Sequence, residues 1–190
     1  MGNPFAQTAY ITKPFYTLNS NGSEVIAGTG NSVEAMQGIF VKADTDGETI
    51  TFSPTTSGRS VMLAINLSKN HAVIDRAIVS FDQDQSLPKM QLRNNSTKLY
   101  ISQDGNDYAV AHASEMGEIS LNFKAQTDGT YSISIATQEV EFSYLHLIDN
   151  LTGTDVDLLS PESEEGAASY TFEAKTTDFA TRFRLVFSTK

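Results

Sequence analysis

The sequence predicts an all-β protein, an antiparallel β-sandwich of jelly-roll or immunoglobulin-like type with little helix. Three observations predict it. Apolar and polar residues alternate with a period of two along most of the chain, in short runs. Gly follows Asn, Asp or Thr between those runs, the chemistry of turns that need a positive φ. Charged residues are only 19% of the 190, against about 25% in an ordinary globular protein, and Ser, Thr, Asn and Gly make up the difference.

Each element follows from that alternation. "ETITFS" sets Ile50 and Phe52 on one face. "SVMLAINLS" does the same for Val61, Leu63, Ile65 and Leu67, and "GEISLNFKA" for Ile119, Leu121 and Phe123. "GTYSISIA" gives Tyr131, Ile133 and Ile135, and "SYTFEA" gives Tyr170 and Phe172. "TRFRLVF" reads as the closing strand, with Phe183, Leu185 and Phe187 inward and both Arg182 and Arg184 outward. One polar face per strand implies sheets with one side in water. "HAVIDRAIVSF" has some helical spacing, but its β-branched content makes it a buried strand. One helical turn is expected in "SVEAMQG", near 32–37.

Turns are expected at "NSNG" (19–22), "DTDGE" (44–48), "QDGND" (103–107), "TDGT" (127–130) and "LTGT" (151–154). "FKAQTDGTYSISI" reads as the clearest hairpin, and "LIDNLTGTDVDLL" as a strand that turns at Asn150 and Gly153 and returns. A seam is expected at "SPTTSGRS" (53–60). It divides an N-terminal β segment, 1–58, from the main sandwich, 59–190. The segment alone has a marginal core, so it is expected to pack on the rest. "SPESEEGAAS" (160–169) reads as a tolerant loop.

Composition narrows the function. A formal net charge of −10 repels phosphate backbones and anionic bilayers, so neither nucleic acid nor a membrane surface is an expected partner. No apolar run approaches the ~20 residues of a membrane-spanning helix, and "MGNPFAQTAY" has no secretory-leader character. The chain is therefore expected to be cytosolic or the mature part of an exported protein. With no cysteine, disulfides, thiolate metal sites and Cys nucleophiles are excluded.

The motifs of catalysis are weak. "GTGNSVEAMQG" has Val33 where a dinucleotide-binding loop has its third Gly. His71, His112 and His146 lack metal-ligand spacing. Acidic loops remain, with Asp44 and Asp46 in "ADTDGE" and Asp82 and Asp84 in "FDQDQS". Carboxylates on loops suit calcium, although an Asp-Gly turn at a hairpin is the simpler and favoured account of the first pair. Tyr10, Phe15, Tyr16 and Tyr108 are the aromatics available to stack on a sugar. No catalytic residue is expected, and no cofactor beyond calcium.

The stretches "GNPF" (2–5), "MQGIFVKA" (36–43), "ETITFSP" (48–54), "IDRAIVSF" (74–81), "YLHLIDNLTGTDVDLL" (144–159) and "YTFEAKTTDFATRFRLVF" (170–187) occur in this order. That series resembles the C-terminal β-sandwich region of large exported or cell-surface proteins of Bacteroidetes. Those proteins are adhesin-like, associated with leucine-rich repeats, or cargo of type IX secretion. The resemblance implies an extracellular or cell-surface address and partners that are proteins or glycans. In such proteins a tryptophan-containing strand precedes "GNPF", which implies a sheet edge here that a second chain can pair with. Two readings follow. One is a non-catalytic surface module for adhesion or structural support of a larger exported protein. The other is a carbohydrate-binding accessory module, calcium-assisted or not.

Overall fold

Strands rather than helices form because β-branched and aromatic residues fill the alternating runs and Gly, Asn and Asp interrupt them before any helix could propagate. The computed structural model describes residues 9–11, 13–34, 37–53, 61–82, 86–160 and 169–190, and no helix occurs among them. The N-terminal strands are short: β1 (Ala9–Ile11), β2 (Tyr16–Leu18), β3 (Val25–Ala27), β4 (Ser32–Val33) and β5 (Phe52–Ser53). The next five are β6 (Met62–Lys69), β7 (Ala72–Ser80), β8 (Leu87–Pro88), β9 (Lys98–Gln103) and β10 (Asn106–His112). The last six are β11 (Met116–Lys124), β12 (Gly129–Gln138), β13 (Phe142–Asp149), β14 (Thr154–Asp157), β15 (Ser169–Ala174) and β16 (Phe183–Thr189).

One eleven-stranded sheet holds β6 to β16. Its order is β14-β13-β16-β11-β9-β10-β7-β6-β12-β15, with β8 also on β10. The sheet curls around a single core into an almost closed barrel. Leu63, Ile65 and Leu67 of β6 meet Leu121 and Phe123 of β11, Ile133 of β12, Leu145 and Leu147 of β13, and Phe183 and Leu185 of β16 in that core. The all-β class therefore holds, while the architecture differs from an antiparallel sandwich in two respects. A single sheet supplies every wall. The sheet is also mixed, because β10 runs parallel to β7, with Val110 opposite Ile78.

The expected hairpin across "TDGT" does not form. β11 pairs with β9 and β16, whereas β12 pairs with β6 and β15. Residues 125–128 instead carry the chain from one wall of the barrel to the other, with Gly129 at φ 139°. Three other turns are hairpins as read. β2–β3 turns with Gly22 at φ 69°, β9–β10 with Asp104 and Gly105 at 51° and 78°, and β13–β14 with Gly153 at 73°. "HAVIDRAIVSF" is the strand β7, joined to β6 through Asn70 and His71, both in the left-handed region.

The outer face of β6, β7 and β10 is not in water. Tyr16, Val25 and Ala27 from the first hairpin bury Met62, Ala64, Ile78 and Val110. Those strands are thus apolar on both faces at their centre. Burying one such Val, Ile or Met side chain stabilises by about 1.5–3 kcal/mol, enough to dock the hairpin firmly. A smaller cluster of Ile11, Phe15 and Val33 sits beside it, with Ile39 and Ile50 against its edge. Phe52, expected on the same face as Ile50, is 51% exposed. Residues 54–60 and 161–168, which hold most of the expected seam and loop, lie outside the described residues. So do Ala35 and Met36 of the expected helical turn, although Gln37 N–H donates to Glu34 O across them at 3.0 Å.

Arg182 is the main departure at the level of a side chain. It was expected outward and is 1% exposed. Its Nη2 donates to Asp149 Oδ2 at 2.8 Å and its Nε to Asp149 Oδ1 at 3.0 Å. Nη1 donates to Glu173 O at 2.8 Å and to Asp178 Oδ2 at 3.0 Å. Tyr170 of β15 donates its hydroxyl proton to Asp149 Oδ2. The network ties β13 and the start of β16 to β15, two flanks of the sheet that no ladder joins. Phe172 and Phe183, 4.9 Å apart, pack on the guanidinium.

Candidate binding site

The sequence-predicted aromatics do not come together. Phe15 and Tyr16 are adjacent and point to opposite sides, one into each N-terminal cluster. Their rings are 1% and 4% exposed, so neither offers a face to a sugar. The Phe15 ring lies against Gly28, and the Tyr16 hydroxyl donates to Pro88 O at 2.6 Å. Tyr10 is half-buried in β1, between Ser32 and Ser53. Tyr108 is half-buried against the main core. Core packing claims these rings because a rolled sheet leaves few aromatics with both faces free.

The expected calcium ligands are also dispersed in role. Asp44 accepts from Lys42 Nζ at 2.5 Å and Lys13 Nζ at 3.4 Å, and the lysines hold its carboxyl below the usual range. Asp46 sits exposed in the turn before Gly47. Asp82 Oδ2 accepts from Val61 N–H at 3.0 Å. Asp84 lies outside the described residues. Among the described residues no group of three or more His, Asp or Glu is placed to hold a metal. A carboxylate already paired to two ammonium groups is a poor start for the six to eight oxygens calcium needs.

A different site emerges at one end of the barrel. Four connections that are distant in sequence converge there: the β2–β3 turn, the end of β6, the 90–97 segment and the 125–128 crossing. They enclose a cleft of about 200 Å³. The β2–β3 turn contributes Asn19, Asn21 and Glu24, and Lys69 closes β6. Arg93, Ser96 and Thr97 come from the segment before β9, and Gln126 and Thr127 from the crossing.

The walls are fixed by buried polar groups. Glu24 is 5% exposed, yet its carboxylate accepts from the backbone N–H groups of Val25, Leu92 and Arg93. Burial pushes the Glu24 carboxyl up, and these bonds with Ser96 outweigh it, leaving the group below its ordinary value. Asn19 Nδ2 donates to Ile74 O at 3.2 Å, while its Oδ1 accepts from Ser23 N–H at 3.0 Å. Ser20 Oγ donates to Val73 O. Gln126 N–H donates to Thr97 Oγ1 at 3.0 Å. Lys69 Nζ donates to Thr127 Oγ1 and the Tyr131 hydroxyl, and lies 4.4 Å over the Tyr131 ring. The result is a preorganised pocket floor with amide, hydroxyl and cationic groups around its mouth.

Only the turn signals of "NSNG" and "TDGT" pointed toward this end of the molecule. Neither says that the two turns meet, since their proximity is a product of sheet curvature. The same holds for His146. Its Nδ1 bonds Asp155 Oδ1 at 2.7 Å across the β13–β14 ladder, and its ring stacks on Tyr144 at 4.1 Å. A broader depression of about 560 Å³ lies between Phe81, His112, Met116 and the end of β16.

No known protein family, curated protein or solved structure matches this chain. Among the described residues no helix is long and apolar enough to cross a membrane.

Proposed function

We propose that the protein is a non-catalytic binding module of an exported or surface-displayed protein, and that it captures a saccharide at the barrel-end cleft. The observation that carries the reading is the cleft itself, whose floor is held by buried Glu24 and Asn19 while amides and hydroxyls face its opening. Saccharides present dense, paired hydroxyls. Asn, Gln and Arg side chains answer them with two-point hydrogen bonding, and Ser and Thr with single donors or acceptors. About 200 Å³ is below the ~300–1,000 Å³ of a drug-sized pocket, which fits one sugar residue of a longer glycan. Surface display draws on the ordered motif series from "GNPF" to "TRFRLVF" and its likeness to Bacteroidetes surface proteins.

A glycan array probed with the purified chain tests this, in calcium and in EDTA. A saturable signal is expected, equal in both buffers, because the cleft supplies its own donors. Gln126→Trp should abolish it, since this exposed side chain can fill the cleft without removing a wall bond. A blank array overturns the saccharide reading, and an undiminished signal from Gln126→Trp moves the site elsewhere.

A further inference from the structure

We infer that the cleft selects an acidic saccharide, one with a carboxylate on the bound ring; this deepens the proposed saccharide capture and rests on it. The chain carries 23 acidic and 13 basic residues, so its surface as a whole is negative and two basic side chains lining one cleft stand out from it. The structure pairs Lys13, Lys42, Lys89, Arg182, Arg184 and Lys190 with carboxylates. Among the described residues no carboxylate lies within ion-pair distance of Lys69 or Arg93, and both line this one cleft. Lys69 is half-buried and held in place by two hydroxyl oxygens, which leave its charge uncompensated. Arg93 is exposed, on a segment fixed through the bond from its own backbone N–H to Glu24.

The one carboxylate in the lining is Glu24, and its oxygens are occupied by backbone N–H groups rather than turned to the opening. Two cations against one tied carboxylate leave the cleft locally positive on an acidic protein. At physiological ionic strength charges act over about 8 Å. An incoming carboxylate therefore feels Lys69 and Arg93 more than the negative surface beyond. Arg93 offers a planar fork to both carboxylate oxygens and Lys69 a point charge. Asn21, Gln126 and Thr127 remain for ring hydroxyls.

The probes are a galacturonic acid trimer, its methyl ester and the neutral galactose trimer, titrated calorimetrically into the full chain at low and at physiological salt. The acid is expected to bind at least tenfold more tightly than the ester at low salt, with the gap narrowing as salt rises. Arg93→Gln should lower acid affinity about fivefold and ester affinity less, so that the acid-to-ester ratio falls. Because Arg93 makes no side-chain hydrogen bond among the described residues, folding is expected to be intact, with an unchanged Tm as the control. Equal binding of acid and ester overturns the acidic selection and leaves saccharide capture standing. Acid binding unchanged in both Arg93→Gln and Lys69→Met overturns it too. A chain that binds none of the three, with an array blank for all glycans, overturns both readings.

Discussion

A buried arginine is held in place only if its charge is answered, and Asp149 answers that of Arg182. Burial pushes the Asp149 carboxyl up, but the Arg182 guanidinium, the Leu151 N–H and the Tyr170 hydroxyl outweigh it and hold the group below its ordinary value. A carboxyl depressed in the folded state contributes stability above its unfolded pKa, about 3.9 for Asp. That contribution is lost as pH falls through the lower folded value. Asp149→Asn should therefore cost about 3–5 kcal/mol at pH 7, the scale of a broken buried ion pair. The cost should begin to shrink as pH falls below about 3.9, the unfolded value, and go on shrinking toward the lower folded value. Urea unfolding of both proteins from pH 7 to pH 2.5 checks this, and a gap that stays constant with pH would show that Asp149 acts by shape alone. Period-two alternation could not announce the pair. In "TRFRLVF" Arg182 and Arg184 share one polar register, and the structure separates them because β16 begins only at Phe183. Arg184 stays exposed and pairs with Glu118 at 3.1 Å.

Strands were more legible than their partners. The alternation in "SVMLAINLS" and "GEISLNFKA" marks which residues face the core, and Leu63, Ile65, Leu67, Leu121 and Phe123 are each at most 1% exposed. It does not mark which strand lies alongside, so "TDGT" read as a hairpin and proved to be a crossing between walls. It also says nothing of a second covered face, which arises only when the first hairpin docks on β6 and β7. Within the hairpin itself the chain approaches closely at Gly28, where a Cβ would fall 2.2 Å from Phe15 Cε2. Gly28→Ala should consequently destabilise by about 1–3 kcal/mol, the cost of overpacking. Phe15→Leu alone should be destabilising through lost packing. Combined, the two should cost less than their sum, because the smaller side chain makes room for the methyl. A double-mutant cycle by denaturant unfolding measures it, and strict additivity would place the strain somewhere other than this contact.

At the scale of the whole molecule, the proposed binding cleft exists only while the N-terminal hairpin and the curled sheet behave as one body. The β2–β3 turn forms one wall and the crossing before β12 the opposite one, so an independently opening hairpin would dissolve the site. The packing argues for a single unit. β6 and β7 lie in the interior of the strand order, with Leu63 and Val79 on the core side and Met62 and Ile78 beneath Tyr16 and Val25. Asn19 and Ser20 bond β7 carbonyls, Arg76 Nη1 donates to Ala27 O at 2.9 Å, and Glu24 fastens the 92–93 backbone. β14 is the contrast, a four-residue strand at the edge of the sheet with only Val156 half-buried. Native-state hydrogen exchange should therefore show the β2–β3 amides opening with the same free energy as β6 and β7, and β14 opening far more readily. Exchange of β2–β3 at the β14 rate, with β6 and β7 still protected, would make the hairpin a separable clip. The cleft would then form only on ligand binding, and the proposed saccharide affinity would have to include the cost of closing it.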